Sequence, residues 1–265
     1  GIRDLEETPL LFALCLRGLC EPCEAGGTLT EWQKHRVCDN TYFPAMEWMM
    51  TGKCNYNCLH CFNAADNLPL QTEWSYEEAI RLLDQARDCG IHAITLTGGE
   101  PFVHSRFFDI LKAVYERGMF VIEINTNGYF ITEEVLDRML EIGCHPMIKI
   151  SFDGIGFHDW MRNHAGAEEN TLQAIRLCVE KGFDVMAQIQ FNRKNKDVIF
   201  ETLLRMEELG CTASRLIYTT PTLRWEQNAE GNSFRPEEFF EECLELTKAY
   251  ISGKHRMQLI IWQFG

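Results

Sequence analysis

The sequence predicts an α/β fold, a (β/α)6 barrel or partial barrel preceded by a short extension. Short apolar, β-branched or aromatic runs recur along the chain, amphipathic stretches lie between them, and those stretches end at glycines. From the second run onward the repeat is roughly 30 residues, which implies parallel strands joined by right-handed crossovers.

The strand-like runs are "AMEWMM" near residue 45, "HAITL" near 92, "MFVIEIN" near 119, "MIKISF" near 147, "DVMAQIQF" near 184 and "SRLIY" near 214. Between the first two, "SYEEAIRLLDQARDCG" opens with Ser75 and Glu78 in capping-box spacing and closes at Gly90. The next helical stretches, "FFDILKAVYERG", "EEVLDRMLEIG", "NTLQAIRLCVEKG" and "VIFETLLRMEELG", end at Gly118, Gly143, Gly182 and Gly210. A glycine there can take the left-handed conformation that ends a helix. The chain divides accordingly into a cysteine-containing extension over 1–44, the partial barrel over 45–235, and a C-terminal helix and strand over 236–265. In such an architecture the active-site residues are expected on loops at the carboxyl ends of the strands.

The composition narrows the function. A formal charge of −14 over 265 residues argues against a nucleic-acid partner, which would require a basic face. No apolar run approaches the roughly 18 residues of a membrane span, and the N-terminus has no signal-peptide pattern. A cytoplasmic protein with neither a nucleic-acid nor a membrane partner is expected.

Twelve cysteines would allow six disulfides, but disulfide scaffolds are usually small and secreted. The cysteines fall into two kinds. Cys89, Cys144, Cys178, Cys211 and Cys243 stand singly in or beside helical patterns, where a small buried hydrophobe is the expected role. Cys15, Cys20, Cys23, Cys54, Cys58 and Cys61 are clustered, with Cys38 between the groups, and clustering suggests metal ligation.

In "KCNYNCLHCF" the spacing is Cys54-x3-Cys58-x2-Cys61. A four-iron, four-sulfide cluster takes one protein ligand per iron, so three cysteines leave one iron open to a small molecule. A structural zinc site is closed by four ligands, and His60 could supply the fourth, although it adjoins Cys61 and adjacent side chains seldom converge on one metal. Spacing alone leaves both readings in place.

Three further motifs follow in order: "TGGEP" at 97–101 after the second strand, "NTNG" at 125–128 after the third and "SFDG" at 151–154 after the fourth. With the cysteine loop after the first strand, the set resembles the radical S-adenosylmethionine (SAM) superfamily over about residues 45–220. The "NTNG" and "SFDG" forms, followed by "FHDWMRN", resemble the branch that carries a C-terminal SPASM or twitch extension. Its members modify peptides and proteins or build cofactors from them. The segment 236–265 would lead towards such an extension, which is read as absent from this sequence.

The resemblance implies a partial barrel of the radical SAM type and an enzyme with a [4Fe-4S] cluster and S-adenosylmethionine as cofactors. The cluster, on Cys54, Cys58 and Cys61, would reductively cleave SAM to a 5'-deoxyadenosyl radical that abstracts hydrogen from a peptide or protein substrate. An electron donor such as flavodoxin or ferredoxin is implied with it. Gly98 and Gly99 would let the backbone approach the methionine moiety, and Glu100 would accept a charge-assisted hydrogen bond from its ammonium group. Ser151 and Arg162 would hold the ribose or the methionine carboxylate, with Thr126 and Asp153 as further ribose or network candidates. His60, where the superfamily usually has an aromatic residue, would face the adenine or cover the cluster. Gln190 or Asn192 after the fifth strand and Tyr218 after the sixth would complete the adenosine pocket.

Two other readings stand beside this one. The same radical chemistry could act on a small molecule in cofactor or haem biosynthesis, or the chain could be a non-catalytic zinc-binding or redox-sensing α/β protein. Cys15, Cys20, Cys23 and Cys38 are candidate ligands of an additional metal centre, although the auxiliary clusters of the superfamily normally follow the barrel. Free thiols are the competing reading.

Overall fold

The strand-like runs assemble into a single sheet in which every neighbouring pair is parallel and the spatial order follows the chain. The computed structural model describes residues 26, 27, 43–63 and 73–261. By its contacts the chain divides into two units, Gly1–Thr41 and Tyr42–Gly265. All described residues but two lie in the second. Cys15, Cys20, Cys23 and Cys38 fall outside the described residues.

The strands are β1 (Ala45–Met49), β2 (Ala93–Thr97), β3 (Phe120–Thr126), β4 (Met147–Ser151), β5 (Val185–Phe191), β6 (Ala213–Tyr218) and β7 (Gln258–Ile261). The helices are α1 (Tyr76–Asp88), α2 (Phe107–Glu116), α3 (Glu133–Ile142), α4 (His158–Arg162), α5 (Ala167–Glu180), α6 (Ile199–Glu208), α7 (Leu223–Asn228) and α8 (Pro236–Ile251). The sheet is open, with β1 and β7 at its edges. The six expected strands are joined by a seventh, β7, which extends the parallel order beside β6.

Local chemistry explains where the helices start and stop. The Ser75 hydroxyl accepts from the Glu78 amide at 3.2 Å and the Glu78 carboxylate accepts from the Ser75 amide at 2.9 Å, so two orphan donors at the start of α1 are satisfied reciprocally. At the far end of α3, Gly143 takes φ of +83°, a left-handed cap that an L side chain would strain.

One face of the sheet is apolar and covered by helices. Ile94, Leu96, Ile124, Ile148, Ile150, Ala187, Ile189 and Leu216 pack there with Leu136, Met139, Ile175, Cys178, Leu203 and Met206. Full burial of each large aliphatic side chain stabilises the fold by about 1.5–3 kcal/mol. Cys144, Cys178, Cys211 and Cys243 are buried free thiols, whereas Cys89 is exposed because it follows α1 as its C-terminal cap. The opposite face presents Thr95, Glu123, Lys149, Gln188 and Arg215 to a cavity.

Candidate active site

The loop after β1 carries the three cysteines and is held by the motif after β2. The Gly99 amide donates to the Thr51 carbonyl at 2.8 Å and the Glu100 amide to the Lys53 carbonyl at 2.9 Å. Nothing larger than glycine fits in between. A Cβ on Gly98 would lie 2.4 Å from the Thr51 oxygen, and one on Gly99 2.1 Å from the Lys53 oxygen. The two glycines are thus required first by the cysteine loop, and they also line the cavity beside it.

Cys54, Cys58 and Cys61 are free thiols on that loop, Cys58 buried and the other two half-buried. The Leu59 amide donates to the Met161 carbonyl at 3.0 Å, which ties the loop to α4. Burial pushes the Cys54 thiol up to about 12, and it raises Cys58 as well, where the Arg162 guanidinium opposes it. Cationic iron would reverse that preference, because a metal ligand binds as the thiolate. Among the described residues no three His, Cys, Asp or Glu side chains converge as the ligands of a single ion would. Three thiols on one loop, with a cavity beside them, fit a cluster that takes one sulfur per iron.

Glu100 lies beneath the cavity instead of lining it. Its carboxylate is wholly buried and accepts from the Thr126 hydroxyl at 2.8 Å, the Asn127 amide at 2.8 Å and the Phe102 amide at 3.3 Å. Burial outweighs those bonds and pushes its pKa up to about 7. The group expected to grip an ammonium therefore already ties the second motif to the third, while Thr126 stands between it and the cavity.

Asp153 is likewise held by the chain itself. It pairs with Arg162 (Nε to Oδ2 at 2.8 Å, Nη2 to Oδ1 at 3.1 Å) and accepts from the Gln190 amide at 3.1 Å. Burial alone would raise its pKa, but the Arg162 guanidinium outweighs burial and holds it well below the usual carboxylate range. The guanidinium of Arg162, expected on a ligand, is thus ion-paired with Asp153 and hydrogen-bonded to it through Nη2, and its Nη1 lies 3.8 Å from the Cys58 sulfur. His158 accepts from the Asp153 amide through Nδ1 at 3.0 Å, and its Nε2 donates to the Thr171 hydroxyl at 3.2 Å.

Ser151, Arg162, Gln190 and Tyr218 line the cavity with the cysteines, His60, Gly98, Gly99 and Thr126. Its volume is about 500 Å3, within the range of small-molecule sites. The Tyr218 hydroxyl is bonded away to the Phe234 carbonyl at 2.9 Å. Asn192 does not reach the cavity: its side chain accepts from the Lys194 amide at 2.9 Å and donates to the Gln190 carbonyl at 3.2 Å, closing the loop after β5. His60 is kept neutral, its pKa lowered to about 3 by burial and by Arg162, and its Nδ1 has no hydrogen-bond partner. An orphaned acceptor beside a cavity is suited to a donor on a bound ligand.

Two groups went unread in the sequence. Asn127 donates through its side chain to Asn55 Oδ1 at 2.8 Å, joining the third motif to the cysteine loop. It stands inside the quoted "NTNG", where only Thr126 was singled out. Thr95, Glu123, Lys149, Gln188 and Arg215 on the inner sheet face were also missed, although Ser151 and Gln190 in the same runs were named. Their signal was a period of two within runs such as "MIKIS" and "VMAQIQF", where every second residue faces the cavity.

The family model of the Radical SAM superfamily matches residues 48–199. An AdoMet-dependent heme synthase of Methanosarcina barkeri is 29% identical over 76% of this chain and 58% of its own length. A PqqA peptide cyclase of Granulibacter bethesdensis is 26% identical over 63% of this chain and 45% of its own. The chain therefore spans about half the length of the curated relatives it matches. Among solved structures, Streptococcus suis SuiB bound to S-adenosylmethionine superposes with a TM-score of 0.71 over 83% of this chain and 51% of that one, at 13% identity, a likeness of fold.

Proposed function

The chain belongs to the Radical SAM superfamily, and we propose that it is an enzyme using a [4Fe-4S] cluster and S-adenosylmethionine to abstract a hydrogen atom from a peptide or protein substrate. One observation carries the proposal. The cysteine loop and the motifs after β2, β3 and β4, far apart in sequence, meet around one cavity at the carboxyl end of a parallel sheet.

When bound, the two groups supply one-electron chemistry, in which an electron from the reduced cluster breaks a C–S bond of SAM and yields a hydrogen-abstracting radical. The chain's part is to hold and to orient. Cys54, Cys58 and Cys61 would ligate three irons. Arg162, fixed by Asp153, directs an N–H at the Cys58 sulfur and places positive charge beside the cluster. His60 Nδ1 would accept a hydrogen bond from the bound nucleoside, and the backbone at Gly98 and Gly99 would lie along the methionine moiety. Ser151 and Gln190 would border the ribose. Glu100 acts through Thr126, which it orients. A cytoplasmic location and a low-potential donor such as flavodoxin or ferredoxin complete the proposal. Among the described residues no helix is long and apolar enough to cross a membrane.

The motif forms that resemble the SPASM/twitch branch favour a peptide substrate, as does the relative named as a peptide cyclase. The relative named as a heme synthase supports a second reading, the same chemistry on a tetrapyrrole. Anaerobic incubation of reduced, cluster-loaded protein with SAM tests the shared step. Formation of 5'-deoxyadenosine supports it, and intact SAM with a fully reduced cluster contradicts it.

A further inference from the structure

The face of the sheet that no helix among the described residues covers is more polar than packing requires. The interior of a parallel barrel is ordinarily filled by branched aliphatic side chains, and strands of parallel sheets are apolar on both faces. Here Glu123 on β3, Lys149 on β4, Gln188 on β5 and Arg215 on β6 line the cavity. Register places them in one band, with Lys149 opposite Asn125, and Gln188 between Ser151 and Arg215.

The charges in this band run from anions to cations along the strand order and meet at the Glu123–Lys149 ion pair. Anions stand on the β1–β3 side, at Glu47 and Glu123, and cations on the β4–β6 side, at Lys149 and Arg215. Lys149 is only 7% exposed, and its ammonium meets one acceptor among the described residues, Glu123 Oε2 at 2.5 Å. Thr95 donates to that same oxygen at 3.2 Å. An ammonium carries three donors, and buried donors are ordinarily satisfied. Lys149 thus retains donor capacity at the cavity wall, with a guanidinium two strands away.

We propose that the inner face of β4–β6 is a carboxylate-binding site for the substrate, in which Lys149 and Arg215 hold an acidic group. This rests on the radical SAM reading, because it assigns the part of the cavity below the cofactor residues to the substrate. The acid is either a side chain of a peptide or a ring substituent of a tetrapyrrole.

Two pairs of probes test the inference with cluster-loaded, full-length protein under anaerobic conditions. One pair is coproporphyrin III and its tetramethyl ester, followed by porphyrin fluorescence. The other is a dansyl-labelled alternating glycine–glutamate pentapeptide and its glutamine analogue, followed by polarisation. In at least one pair the acid binds at least tenfold more tightly than its neutral counterpart, and the pair that discriminates identifies the source of the acid. Lys149→Met and Arg215→Met each abolish that preference, and Lys149→Arg retains it. Glu123→Gln does not weaken acid binding, whereas a merely structural Glu123–Lys149 pair would make Glu123→Gln as damaging as Lys149→Met. Equal binding of acid and neutral probe in both pairs, or a preference that survives both methionine variants, overturns the inference. Acid-selective binding by wild-type protein that makes no 5'-deoxyadenosine would overturn the proposed function and leave this site standing.

Discussion

Arg162 is the bridge between Asp153 and the cluster loop: its Nη2 donates to Asp153 Oδ1 at 3.1 Å while its Nη1 lies 3.8 Å from the Cys58 sulfur. Both members of the pair are buried. Asp153→Asn would leave the guanidinium without its counter-charge, and breaking one side of a buried pair costs about 3–5 kcal/mol. We expect a lower unfolding midpoint in denaturant and, after reconstitution, a shifted cluster reduction potential. An unchanged midpoint would show that Asp153 does not hold Arg162 in place.

The sign of the acid dependence follows from the depressed pKa of Asp153. A carboxyl group whose folded pKa lies below its unfolded value of about 3.9 contributes stability that is present above that value and lost as pH falls through the folded pKa. Glu100 behaves oppositely. Its pKa is raised to about 7, so the folded protein binds the proton more tightly, and stability declines as pH rises from the ordinary carboxylate range to neutrality. Glu100→Gln should flatten this decline, whose size is on the order of 3 kcal/mol. Denaturant titrations of both proteins at pH 5 and pH 7.5 check it, and parallel pH profiles would count against a raised Glu100.

Gly99→Ala should damage the cysteine loop without touching a thiol. The added carbon meets the Lys53 carbonyl oxygen at 2.1 Å. Backbone must then shift, at about 1–3 kcal/mol for overpacking of this kind. We expect less iron bound per chain after reconstitution, together with a lower thermal midpoint. Full iron occupancy in this variant would show that the loop tolerates displacement.

His60→Phe keeps a flat ring and removes the orphaned Nδ1. Loss of one neutral hydrogen bond is worth about 0.5–1.5 kcal/mol, so affinity for S-adenosylmethionine should fall several-fold while iron content stays constant. Equilibrium dialysis measures this. Unaltered affinity would remove His60 from the cofactor site.

Much of this was legible in the chain because strand runs, capping residues and glycine stops are local signals. Ser75 and Glu78 form the expected capping box, and the four motifs were placed correctly at strand ends. What pattern could not supply was partnership. The sequence offers Glu100, Asp153 and Arg162 as groups for a ligand, yet the folded chain closes Arg162 on Asp153 and binds Glu100 to Thr126 and Asn127. The Glu100 pairing brings together residues from the ends of β2 and β3 that no local window contains, whereas Asp153 and Arg162 stand nine residues apart in the one segment after β4. Lys149 and Arg215 escaped notice for another reason. They sit in runs read as apolar strands, where a single charge passes for an interruption and not for the inward half of an amphipathic strand.

The most direct test is iron and 5'-deoxyadenosine measured side by side in the wild-type protein and in the variant with Cys54, Cys58 and Cys61 all replaced by alanine. The wild-type protein should hold about four irons at this site and, once reduced, release 5'-deoxyadenosine from SAM. The variant should lose those irons and all of the cleavage. Iron remaining in it would point to a separate centre on Cys15, Cys20, Cys23 and Cys38. Zinc in place of iron in the anaerobically reconstituted wild-type protein, or cleavage of SAM that persists in the triple variant, would contradict the assignment of the cluster to this loop.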